Sequence, residues 1–190
     1  AKKEEDARKD WLNNGIEPQP YSLANSKTVS YADFIDNRLK LFSMSDNIRS
    51  IPSMIDGQKP SQRKVLFAAF KRKLKKELKV SQFAGYIAEH TSYHHGEASM
   101  YETIISMARD YVGVNNINLF TPSGQFGSRL GGGPKLKKGD NSSAARYLCT
   151  NLGFMTRMLF NEDDHTLLTY KVDDGLSIEP CDPDSKSVVE

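Results

Sequence analysis

Sulfur, indole and apolar length are all scarce in this chain of 190 residues, which has two cysteines and one tryptophan. Cys149 and Cys181 are too few for the disulfide framework of a small secreted domain, and their usage fits a reducing compartment. No apolar run approaches the ~18 residues that a membrane-spanning helix needs, so no membrane partner is expected. No leader pattern opens the sequence. No glycine loop followed by Lys and Ser or Thr is present to cradle a nucleotide phosphate. No metal site is expected either. His94 and His95 are adjacent, neighbours rarely ligate one ion, and no Cys or carboxylate stands at ligand spacing from them.

Charge is abundant but unevenly placed. The formal net charge is +2, yet residues 161–190 hold nine acidic side chains and two basic ones, which leaves 24 basic and 15 acidic residues in 1–160. A basic body with an acidic tail suits a polyanionic partner, and equally suits a lysine-rich solvated surface.

Periodicity predicts mainly helix with a small β element, an α+β chain. Residues 2–13 are charged and helix-prone, anchored by Trp11 and Leu12, and 14–27 read as a linker. Ser30 is a predicted N-cap for a helix from Tyr31 to about Asn47, with Phe34, Ile35, Leu39 and Phe42 as its buried face. Pro60 suits the first turn of a helix running to about Leu78. There Val65, Leu66, Ala69 and Phe70 face inward, and Arg63, Lys64 and the later lysines face outward. Further helices are expected over Val80–Glu89 and from Glu97 to about Val112, the latter with Met100, Ile104, Met107, Ala108 and Tyr111 on one face. A short strand is expected at Ile117–Thr121, then glycine-rich turns, then a helical or strand-to-helix stretch over 144–160. The tail from Asn161 is read as irregular or edge structure.

Three blocks carry the chemistry. Arg146 precedes Tyr147 after a run of small residues. A phenol, with a reference pKa of ~10, is a poor nucleophile until its proton is removed or its anion stabilised, but its phosphate ester is readily reversed. A planar guanidinium supplies two aimed donors to a phosphate during transfer. Tyr93-His94-His95-Gly96-Glu97 offers His95 to orient or accept a proton near neutrality. Asp56-Gly57-Gln58-Lys59-Pro60-Ser61-Gln62-Arg63-Lys64 opens a helix with cations.

These blocks, in this order, resemble the DNA-cleaving domain of type IIA DNA topoisomerases, most closely the eukaryotic topoisomerase II type, from about Asp6 to about Leu159. Gln58 and Ser61 depart from the family pattern and leave the cations in place. The resemblance implies a winged-helix (CAP-like) domain over 30–160. It also implies a preceding linker and helix at 1–29 after a metal-binding module, and the start of an acidic tower-type region at 161–190. It implies Tyr147, Arg146 and His95 as catalytic residues. Arg49, Lys59, Tyr93, His94, Ser99 and Arg129 become DNA contacts, His94 with packing and Ser99 with helix capping as the alternatives, while Arg63 and Lys64 are added as backbone contacts by their charge and position alone. The wing-forming turn is Ser123–Arg129, and Pro134–Lys138 is extra length.

Implied partners are double-stranded DNA, a second copy of the chain, and the metal-binding and ATPase modules of the same polypeptide, in the nucleus. The chain then reads as a fragment with no cofactor of its own, inactive alone in strand passage. Mg2+ and ATP serve the full-length enzyme. The alternatives are a non-catalytic winged-helix DNA-binding module and a meiotic double-strand-break protein.

Overall fold

The structure is a computed structural model that describes residues 4–13, 28–93, 95–130 and 141–181. The expected linker at 14–27, His94 and the extra segment at Pro134–Lys138 lie outside the described residues. The chain forms two compact units, divided in sequence between Lys59 and Pro60.

The first unit holds α1 (Glu5–Asn13), α2 (Tyr31–Phe34), a π-helical turn (Ile35–Leu39) and α3 (Lys40–Ser50). Ser30 caps α2 as expected, its hydroxyl accepting the Asp33 amide at 3.1 Å. The expected burial of Phe34, Ile35, Leu39 and Phe42 is not found: all four are exposed. Lys40 is buried instead, its ammonium 5.4 Å from the Trp11 ring centroid. Trp11 also donates its indole N–H to Asp36 at 2.8 Å. The reason is supply: α1 offers only Trp11 and Leu12 as sizeable apolar groups, too little to cover a stripe of four.

The second unit begins with α4 (Pro60–Lys71), which buries Val65, Leu66, Ala68 and Ala69. It does not continue to Leu78. Over residues 72–76 the sequence offers one apolar side chain, Leu74, among cations. The chain turns at Lys73 (φ +52°), and the amides of Lys73 and Leu74 bond back to Phe70 and Ala69 at 2.9 and 3.0 Å. This closure satisfies the last helical carbonyls and drops Leu74 into the core. After β1 (Leu78–Lys79) come α5 (Val80–Thr91) and α6 (Glu97–Ala108).

α6 stops four residues short of the expected Val112, which leaves Tyr111 outside the helix. Asn115 donates from Nδ2 to the Ser106 and Arg109 carbonyls at 2.8 Å each, and Asn118 to Ala108 at 3.3 Å. These asparagines finish the helix, so the strand expected at 117–121 starts later, as β2 (Phe120–Ser123). Strand β3 (Cys149–Leu152) pairs antiparallel with both β1 and β2, giving the order β1-β3-β2. The strand-to-helix reading of 144–160 is met by β3 followed by α7 (Thr156–Leu159).

The succession α4-β1-α5-α6-β2-β3, with the last strand in the middle of the sheet, is the winged-helix arrangement. The fold is α+β. Its core gathers Val65, Val80, Phe83, Ile87, Met100, Ile104, Phe120 and Leu148. Phe83 and Phe120 pack at 6.0 Å between ring centroids.

The acidic tail is more regular than expected. Strands β4 (Tyr170–Asp173) and β5 (Leu176–Pro180) form a hairpin. Asp174 (φ +46°) and Gly175 (φ +76°) make its two-residue turn, the left-handed pair that Asp-Gly favours. Among the described residues no helix is long and apolar enough to cross a membrane.

Candidate functional site

Tyr147 ends a short 3-10 turn, Ala145–Tyr147, that leads into β3. Its side chain is 68% exposed, while the next residue, Leu148, is fully buried. The backbone is fixed on both sides. The Tyr147 amide bonds to Ala144 at 2.9 Å, and the Leu148 carbonyl accepts the Val80 amide at the start of α5 at 2.9 Å. The guanidinium of Arg146 lies 4.7 Å from the Tyr147 ring centroid. A cation over the face of a phenol leaves the phenolic edge open and sets positive charge beside it. Among the described residues, nothing seals this side chain from an incoming phosphate.

The wing runs out from β2 and returns to Tyr147. Gly124 (φ +113°) lies against that return: a Cβ there would stand 3.2 Å from Leu148 Cδ2 and 3.5 Å from the Tyr147 carbonyl oxygen. Only glycine combines that backbone angle with that approach. Phe126 is buried, and its carbonyl accepts from Arg109 Nε at 3.1 Å. Asn141 accepts the Ser128 amide at 2.8 Å and donates to the Ser128 hydroxyl at 2.9 Å. Chain leaving at Ser128 and returning at Asn141 is thus pinned at one point. Arg129, just beyond this clamp, is exposed.

Between α5 and α6 lies the histidine segment. Ser92 (φ +46°) turns the chain out of α5. Tyr93 is half-buried against the core, and its ring meets the exposed His95 edge-on at 5.3 Å. Gly96 opens α6 with no side chain on the first-turn amides. Ser99 is exposed in that first turn, and its amide bonds to Gly96 at 3.1 Å. Tyr101 donates to Glu97 at 2.8 Å, and that hydrogen bond raises the Tyr101 phenol above its ordinary range.

In the first unit, Arg49 extends from the end of α3 and pairs with Asp46 at 2.7 Å. The hydrogen bond from Arg49, then that of Ser50, holds Asp46 below its ordinary value of 3.8. Lys59 closes a loop folded by Gly57 (φ +67°), by the Ser53 amide on the Gln58 carbonyl at 3.0 Å, and by the Gln58 amide on Asp56 at 2.9 Å.

Lys64 departs from its expected outward orientation. It stands one turn into α4, and its side chain is only 17% exposed. Its amine donates to the Thr91 and Ser92 carbonyls at 2.6 and 3.3 Å and lies 3.7 Å from Glu179. Arg63, beside it, is half-buried. The structure therefore makes two local pairings in the second unit, Arg146 with Tyr147 and Tyr93 with His95, and turns Lys64 to the inside.

A family model for the DNA gyrase/topoisomerase IV A subunit matches residues 49–182. The chain belongs to the type II DNA topoisomerases. A second model, "C-terminal associated domain of TOPRIM", matches residues 1–47. DNA topoisomerase 2 of Arabidopsis thaliana is 50% identical over 95% of this chain, and a Dictyostelium discoideum protein named "DNA topoisomerase 2, mitochondrial" is 54% identical over 81% of it. The chain spans 12% of the length of each. The Plasmodium falciparum topoisomerase II DNA-binding, cleavage and re-ligation domain superposes with a TM-score of 0.74 at 50% identity, over 92% of this chain and 23% of that one.

One participant in this type II topoisomerase segment escaped the sequence reading. Glu179 stands in an acidic tail that reads as irregular or edge structure, yet it is buried beside Lys64. The signal that could have found it was Asp174-Gly175, which announces a hairpin and so places Glu179 on a packed strand.

Proposed function

We propose that this chain is the DNA-binding and cleavage segment of an ATP-dependent type II DNA topoisomerase, with Tyr147 as nucleophile. The phenol oxygen attacks a backbone phosphorus, and the bond from phosphorus to the 3′ oxygen breaks. The phenolic proton passes to a base and the 3′ oxygen gains one. The 5′ end stays on Tyr147 as an ester, and the reverse reaction reseals the strand. Arg146 stabilises charge on the non-bridging oxygens. His95 orients or accepts the proton. Arg49, Lys59, Arg63, Tyr93, His94, Ser99 and Arg129 contact the DNA backbone. Two copies act together, one Tyr147 for each strand of the duplex.

The single observation that carries this reading is an exposed Tyr147 with a guanidinium at its face and a rigid backbone beneath it. Among the described residues no three His, Cys, Asp or Glu side chains gather as a metal site requires. Mg2+ and ATP belong to this reading through the family resemblance, as requirements of the full-length enzyme. The nucleus is the proposed compartment; the relative named as mitochondrial marks the alternative.

The test is Tyr147→Phe in the full-length enzyme. Covalent protein–DNA adducts should vanish while DNA affinity stays within about twofold, the range for an exposed substitution. Adducts that persist in the variant would overturn the assignment. A non-catalytic winged-helix module would give no adducts in either form.

A further inference from the structure

Among the described residues, Glu179 is the one buried carboxylate, and the proposed chemistry does not use it. Its side chain is 2% exposed on β5, and neither oxygen has a hydrogen-bond partner among the described residues. A buried carboxylate without donors is costly and calls for compensation. Two ammonium groups supply it, Lys171 Nζ at 3.5 Å and Lys64 Nζ at 3.7 Å. Lys171 is largely exposed. Lys64 is enclosed and bonded at the same time to the last carbonyls of α5.

Those carbonyls, at Thr91 and Ser92, are where the chain leaves α5 for Tyr93, His94 and His95. A cation suits a helix C-terminus, and this one also holds the residue whose left-handed backbone sets the exit direction. Thr91 is fixed further by its own hydroxyl on the Ile87 carbonyl at 2.7 Å. The order of contacts is therefore Glu179, Lys64, the end of α5, then the histidine segment.

We propose that Glu179 is a positioning residue for Tyr93 and His95, acting through Lys64. The carboxylate holds the ammonium inward, and the ammonium holds the point from which the segment departs. The inference rests on the phosphotyrosyl reading above for what the segment then does.

The experiment uses the full-length enzyme. Glu179→Gln keeps the shape and removes the charge. Adduct formation should slow about ten- to a hundredfold, as expected when a distant change shifts a reacting group by about 1 Å, with DNA affinity unchanged. Lys64→Met should slow it comparably, and the double variant should be no worse than the slower single one. The histidine-dependent limb of the pH profile should shift as well, which loss of stability alone would not cause. If Glu179→Gln fails to fold, Glu179→Asp keeps the charge, retracts it by one methylene, and should slow adduct formation severalfold.

Unchanged rates in the folded Glu179 variants would overturn the inference. So would a lowered affinity for Lys64→Met with a salt slope reduced by about 1, since that marks Lys64 as a phosphate contact. A wild type with no Tyr147-dependent adducts would overturn the phosphotyrosyl reading itself, and this inference with it.

Discussion

The guanidinium of Arg146 stands over the ring of Tyr147, 4.7 Å from its centroid. The two residues are sequence neighbours on a 3-10 turn, so their backbone fixes the pairing before any ligand arrives. A planar cation in that place can turn from the ring to a phosphate by side-chain rotation alone.

Arg146→Ala in the full-length enzyme should therefore slow adduct formation by about 10²–10³, the usual loss for one aimed donor at developing charge. Arg146→Lys should recover little, because a point charge lacks the fork. Single-turnover cleavage assays check both, and near wild-type rates for the lysine variant would exclude a two-donor role.

Arg49 is already engaged within its own helix, because Asp46 holds it at 2.7 Å. On the proposed reading, in which Arg49 contacts the DNA backbone, a phosphate would have to displace that carboxylate. Asp46→Asn should therefore tighten DNA binding by up to about fivefold, the scale of an exposed ion pair. Titration in fluorescence anisotropy measures it. The sign of the pH effect follows from the lowered Asp46 pKa. The pairing is fully present above the ordinary aspartate value and is lost as pH falls through the folded one. Binding between pH 6 and 8 should then show no step that Asp46→Asn removes.

Leu148 joins the site to the core. Leu148→Ala should cost about 2–5 kcal/mol, the range for a buried leucine whose cavity is only partly refilled. It should also slow adduct formation beyond the loss of folded protein, since the ledge under Tyr147 is then loose. Chemical denaturation beside cleavage rates separates the two effects.

Gly153 closes the turn after β3. A Cβ there would meet the Asn118 carbonyl oxygen at 2.7 Å and that of Leu119 at 3.1 Å. Both are backbone atoms and cannot swing aside. Gly153→Ala should destabilise by about 1–3 kcal/mol, as overpacking does. Gly85→Ala, with open space around it in the middle of α5, should stabilise by about 0.5–1 kcal/mol. Thermal melts of the two variants should move in opposite directions.

Much of this was legible in the residues. The Ser30 cap, the inward row of Val65, Leu66, Ala69 and Phe70, and the start of α6 after Gly96 all follow from local rules. Three features did not. α4 ends early because Lys73 accepts a left-handed backbone, which no lysine advertises. The apolar row from Phe34 to Phe42 satisfies helical periodicity without being covered, because periodicity records an apolar face and not what meets it. Lys64 reads as a surface cation, and it is held inward by the Thr91 and Ser92 carbonyls and by Glu179, which comes from more than a hundred residues away. Each miss is a long-range or backbone effect. Among the site residues, Arg146 with Tyr147 was visible as a dipeptide, whereas the Asn141–Ser128 clamp needed the fold.

The alternation at Tyr147 and Leu148 has a mechanical consequence. One residue faces solvent while its neighbour is embedded in the sheet-and-helix interior. A severed strand esterified at that phenol would have no slack tether. It would be carried by the whole body of the second unit, so drawing the broken ends apart and bringing them back would be a matter of moving solid pieces, with alignment for resealing preserved throughout.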